Sequence, residues 1–368
     1  NISKRIKTII LNINMRTLFL LIIAVLYTGV NKSFAQKSKG EVEGTPYYLP
    51  CTGLRFAMLV EKTVYTPGEF AVYAEKYLKK KDVSTEPSVE YRIADVKITS
   101  IAERDTSKSY LAPTDAKHNI RSLKCDERGL LLAVNAEPKT IAKVENFIPE
   151  KKKQPLNPRD YMNEDILSAG SYAKMAELCA SEIYDIRESK SLLNKGQAEF
   201  MPKDGEQLRI MLDNLSTQEA ALNQLFCGTT ETDTTEVVVE FMPKNAITKQ
   251  LLFRFSKWMG MTDVDDLGGE PYYISVEDLH ILPAVQENII SQKPPKDNVG
   301  LYFNVPGKIK VTLFKGNEQW TECELYAGQF GRVEQIDDNL FGRKFTTSIV
   351  LSPITGNLDD LQSEPVKK

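Results

Sequence analysis

The chain has 368 residues, 42% hydrophobic and 26% charged, with 47 basic against 50 acidic side chains and a net charge of −3. That balance excludes a collagen, a multi-span membrane protein and a chain disordered throughout, and it gives no global attraction for nucleic acid. The length exceeds what one hydrophobic core ordinarily serves, which predicts more than one domain.

Met15 reads as the natural start, and the residues after it read as an export signal. Arg16 supplies the positive n-region, residues 18–27 the apolar stretch, and Ser33, Phe34 and Ala35 a small-x-small cleavage site before Gln36. The apolar run is short for a span of ~30 Å of hydrocarbon, and no cysteine sits at the cleavage point to take a lipid. Residues 1–35 are therefore expected to be an upstream extension plus signal peptide. No transmembrane segment is expected after its removal, and the mature chain is expected in the periplasm or associated with the outer membrane. The mature chain keeps 42 basic and 50 acidic residues, a net of −8. Its five cysteines, Cys51, Cys125, Cys179, Cys227 and Cys323, are odd in number, so at least one thiol stays unpaired in an oxidised monomer. None forms a Cys-x-x-Cys pair, which removes thioredoxin-type and zinc-knuckle patterns.

Residues 36–149 read as an N-terminal α+β module. Leu54, Phe56, Met58 and Val60 alternate at period two, the mark of a half-buried strand. Thr66, Pro67 and Glu69 have the spacing of a capping box, with Thr66 as N-cap. The helix they would open carries Phe70, Tyr73, Ala74, Tyr77 and Leu78 on one face. Lys79, Lys80 and Lys81 suit its C-terminal dipole and read as a solvated end in preference to a phosphate site. Strands are expected at 89–101, 120–124 and 130–135, with a turn at 126–129 between the last two.

Residues 150–160, with Lys151, Lys152, Lys153 and two prolines, have the composition of a linker. Beyond them, 161–228, the apolar period becomes helical. Asn163 can cap a helix running to about Asn194, with an alanine stripe at 169, 173, 176 and 180. Asp204 can cap a second helix ending at Gly228. Two such stripes joined by a short segment predict a long antiparallel helical hairpin. With the turn near Phe200, Cys179 and Cys227 are offset by ~9 Å along the axis, too far for a disulfide.

Residues 229–362 read as a C-terminal β-rich module, followed by a frayed tail at 363–368. A strand is expected at 236–241, a short helix at 246–259 ended by Gly260, and hairpins at 308–326 and 345–361. The fold class expected is thus α+β: two β-rich, sandwich-like modules with the hairpin between them. Two short echoes join the parts: 44–49 resembles 269–274, and 199–204 resembles 240–245. In the second echo Asp204 and Asn245 both sit where a helix is expected to begin.

Chemistry is sparse. Nucleophile-elbow, Walker, dinucleotide and zincin motifs are absent. The two histidines, His118 and His280, are too few for a multi-histidine metal centre and read as structural or surface groups. The best ligand-like cluster is Asp263, Asp265, Asp266 and Glu270, a weak calcium candidate; Leu267 and Ile274 stand where a calcium loop needs oxygen ligands. Tyr47, Tyr48, Tyr272, Tyr273, Trp258 and Trp320 are candidates for stacking on sugars, although neighbours on a strand point to opposite faces.

Longer strings carry a resemblance. Residues 46–50 and 60–70, then 164–167, 182–189, 201–207, 305–309 and 327–331, resemble a family of secreted Bacteroides-type envelope proteins, known as a domain of unknown function. The resemblance covers most of the mature chain and implies an envelope protein of the Bacteroidales. It supplies no activity, cofactor or catalytic residue. The function expected is a non-enzymatic interaction or structural component of the envelope that binds a protein partner. A carbohydrate-binding or glycan-processing protein is the alternative.

Overall fold

The computed structural model describes residues 44–114, 117–140, 146–147, 156–293 and 298–366. The expected signal at 1–35 and the lysine run at 151–153 lie outside them. Among the described residues the fold is α+β and mostly strand, in three antiparallel sheets. The first sheet has the order β2-β1-β5, with β1 Gly44–Thr66, β2 Ser88–Pro113 and β5 Thr229–Phe241. The second has the order β10-β9-β8-β6-β7, with β6 Ile247–Ser256, β7 Gly260–Thr262, β8 Glu270–Asp278, β9 Tyr302–Lys315 and β10 Glu318–Gln335. The third has the order β12-β11-β4-β3, with β3 Leu123–Cys125, β4 Leu131–Val134, β11 Phe345–Leu351 and β12 Leu358–Pro365. Four α-helices complete it: α1 Ala74–Leu78, α2 Glu164–Leu167, α3 Tyr172–Lys195 and α4 Gly205–Cys227.

The period-two alternation in β1 places Leu54, Phe56, Met58 and Val60 in one core with Phe253, Phe255, Ile274, Val276 and Val311 of the second sheet. A register shift at Tyr48/Pro50 interrupts the pairing with β2. Upstream of it, Tyr47 and Leu49 enter a different core with Leu131, Val134, Phe303, Ile349 and Leu351. One strand thus serves two cores. The stretches 36–149 and 229–362 do not build separate sandwiches, because β5 pairs with β1 and β11 pairs with β4. The apolar face of β1 finds its complement in strands from the other end of the chain.

Several local expectations are corrected. Thr66 is not a helix cap; it ends β1 opposite Thr229. Helix begins only after a 3-10 turn at Ala71–Tyr73 and lasts five residues in α1. Tertiary packing overrides the capping box here: the Phe70 N–H donates to the Leu225 carbonyl at 2.7 Å, and a Cβ at position 68 would collide with that carbonyl. The helix expected from Asn163 to Asn194 is two helices. Asn163 caps the single turn of α2, and Ser171 caps α3 after a break containing Gly170. Residues 246–259 are not helical but form β6 and its turn into β7. Leu251, Leu252, Phe253 and Phe255 crowd the end of β6, and both faces there are covered, which erases the alternation that would mark it. The tail is ordered to Pro365, which pairs with Phe345. Of the second echo, Asp204 caps α4 through the Gln207 N–H at 2.8 Å, whereas Asn245 leads into a strand.

Candidate functional site

Two regions stand out from the residues upward. The first is the pair α3 and α4. A third core holds them: Ala176, Cys179, Ala180, Ile183 and Ile186 of α3 pack with Leu222, Leu225 and Phe226 of α4, and Phe70, Ala74 and Leu78 cover them. Burial, with Glu182 and Glu69 adding to it, pushes the Cys179 thiol up to about 12, so it is inert packing. Glu219 links the helices, accepting from Arg187 at 2.7 Å and Lys190 at 3.1 Å. Burial raises its pKa, but these two cations outweigh that and hold the carboxyl below its usual range. At the connection between the helices, residues 196–204, and in the first turns of α4, the packing runs out. Phe200 is 81% exposed, and Met201, Ile210 and Met211 are exposed as well.

The second region is a cleft of about 580 Å³ where β2 of the first sheet meets the β6–β7 turn of the second. The Tyr91 N–H donates to the Lys257 carbonyl at 2.7 Å, which fixes the two sheets at that corner. Tyr91, Phe255, Trp258 and Tyr272 line the cleft, and Trp258 is 62% exposed. Its rim charges are paired, Lys257 with Glu90 at 3.0 Å, Lys315 with Glu270 at 3.1 Å, and Arg92 with Glu61, which lies just outside the lining. Such a surface offers aromatic faces and both donors and acceptors without net charge, which suits a neutral polar ligand better than an ion.

The residues picked out by the sequence are scattered between these places and others. Of the six aromatics, Trp258 and Tyr272 share the cleft, and Trp320 stands edge-on to Tyr272, ring centroids 5.2 Å apart. Tyr47 is buried, donating its phenol to the Gly300 carbonyl and accepting from the Tyr302 N–H. Tyr48 lies against Arg104 and Tyr273 against Lys249. In the calcium candidate, Asp266 accepts from the Gly268 N–H at 2.8 Å, Glu270 pairs with Lys315, and Arg254 binds the carbonyls of Val264 and Gly269. Asp263 and Asp265 sit in the same turn. The described residues hold no group of three or more His, Cys, Asp or Glu placed to bind a metal ion. His280 pairs with Asp278 at the surface, and His118 bridges to Gly342. Burial raises the Asp338 carboxyl pKa, and His118 counters it. All five cysteines are free thiols; Cys227 lies 3.0 Å from the Lys80 ammonium, beside the lysine run.

Sequence reasoning missed Tyr91 and Arg92 as cleft residues. They are brought to Trp258 by sheet packing across more than 160 positions, and no local pattern announces that. No helix of the described residues is long and apolar enough to cross a membrane. A search of curated proteins and a search of solved structures each find no match to this chain. Its sequence from 43 to 359 matches the family described as a domain of unknown function (DUF4831), and the chain belongs to that family.

Proposed function

We propose that this is an exported, non-enzymatic component of the cell envelope that works by gripping a protein partner. In this reading α3 and α4 form an antiparallel hairpin whose free end is the contact surface. The observation that carries it is the exposure of Phe200, Met201, Ile210 and Met211 at that end, where large apolar side chains stay in water without a core to enter. Residues 15–35 would direct export, and fractionation of cells should find the processed chain outside the cytosol. The test is binding of the mature protein to envelope extract, compared with a Phe200→Ser, Met211→Ser double variant of unchanged melting temperature. Loss of one discrete partner supports the reading; equal recovery by both proteins refutes it.

A carbohydrate-binding role is the second reading, supported by the exposed Trp258 and the half-buried Tyr91 meeting in one cleft with neutralised rim charges, Tyr272 beneath them being buried and stacked on Phe253. Sugars stack their C–H faces on such rings. Quenching of Trp258 fluorescence on a glycan series, abolished in Trp258→Ala, would favour it; no response to any glycan would count against it.

A further inference from the structure

The six sheet edges among the described residues are not equally protected. β3 and β7 are three residues long. β10 shifts register against β9 twice, and β12 ends in Pro365. β2 shifts twice against β1, and its open side already exchanges backbone hydrogen bonds with Lys257, Asn298 and Gly300. These are the devices by which native sheets avoid pairing with other chains. β5 lacks them. It pairs with β1 through 13 consecutive positions without a shift, contains no proline or lysine, and has no buried residue. No described residue donates or accepts a backbone hydrogen bond along its outer side.

We propose that the outer edge of β5 is a strand-addition site for an extended, basic segment of a partner protein. The charge on the strand selects that occupant. It carries Glu231, Asp233, Glu236 and Glu240 and no base, with Asp233 already engaged by another group. A second copy laid on the same edge would double these carboxylates on one ribbon, and like charges across a strand pair are unfavourable. A strand bearing lysine or arginine gains an opposite-charge pair on either face, in addition to the backbone ladder. Glu236 is already held by Arg55 at 2.8 Å and the Phe147 N–H at 2.7 Å, so Glu231 and Glu240, both exposed, carry most of the recognition. The inference rests on the reading that the protein acts by protein contact, but it uses a surface separate from the helix pair.

The experiment uses the mature chain, residues 36–368, with two peptide probes of equal charge, (Lys-Val)4 and (Lys-Pro-Pro)4. Prolines of the second probe fall on both edges of an extended chain and remove most donors from either, so only the first can add as a strand. Hydrogen exchange should show residues 229–241 protected at least tenfold by (Lys-Val)4 and unchanged by (Lys-Pro-Pro)4. Glu231→Lys, Glu240→Lys should weaken that binding at least fivefold, while Phe200→Ser, Met211→Ser leaves it unchanged; Val238→Lys replaces the charge-reversed variant if that fails to fold. Equal binding of both probes would show charge alone, and would overturn the proposal. So would absence of protection, or a dimer of the free protein in which 229–241 is already protected.

Discussion

Asn304 holds together three places far apart in the chain. It is fully buried, its Nδ2 donates to the carbonyls of Pro50 at 2.9 Å and Thr355 at 2.8 Å, and its Oδ1 accepts from the Lys108 ammonium at 3.2 Å. Lys108 also donates to the Gly328 carbonyl at 3.3 Å. This is the point where β1 changes core, so polar groups there must find partners or cost about 1–3 kcal/mol each. Burial lowers the Lys108 pKa from its ordinary 10.5, with Asp105 and Cys51 acting in the opposite direction. The folded state therefore releases this proton before the unfolded state does. Stability attributable to Lys108 should rise as pH climbs from its lowered folded value towards 10.5. Urea midpoints of the wild type and of Lys108→Met, measured from pH 8 to 10.5, check this: the difference between them should shift in favour of the wild type with pH. A difference that shifts the other way, or not at all, would show that the ammonium is not desolvated.

At the scale of elements, the segment 246–262 offers a test in which the sign decides. Its sequence reads as a helix ended by Gly260, and in a helix an alanine at the exposed Thr248 would stabilise by roughly 0.5 kcal/mol. In the structure Thr248 lies on an exposed position of β6, where a β-branched side chain is preferred to alanine. Thr248→Ala should destabilise the protein by about 0.5 kcal/mol, as read by urea unfolding. A stabilising effect would restore the helix. What was legible here and what was not follows from how local the cause is. Asp204 and Asn163 cap through their own side chains, the Asp126 turn closes on the Leu130 N–H, and β11 alternates on one covered face, so short windows reveal them. Thr66 obeys Thr229, 163 positions away, and Phe253 of β6 obeys Tyr272, 19 positions away, and the local periodicity registers neither. The cleft was half legible for the same reason: Trp258 and Tyr272 are conspicuous residues, but Tyr91 joins them only through the meeting of two sheets.

For the whole molecule, the interleaving of strands from both ends is the dominant physical fact. β1 lies between β2 and β5, and β11 lies between β12 and β4, so two of the three sheets are incomplete unless residues beyond 228 and residues before 135 are both present. Each long pairing must close a loop of well over a hundred residues, which predicts slow folding dominated by distant contacts. Chains cut between 228 and 229 should each lack near-ultraviolet circular dichroism, and a cooperatively folded 229–366 fragment would contradict this architecture.

The central claim is that the protein acts by contact, through the free end of the helix pair. The most direct measurement places a photo-crosslinking residue at position 200 or 211 in cells, with position 267, on a tip 83% exposed but distant in sequence from the helices, as the control. The account predicts one discrete crosslinked protein from 200 and 211 and none from 267. Crosslinks from 267 alone, or from no position while the protein is correctly exported, would contradict it.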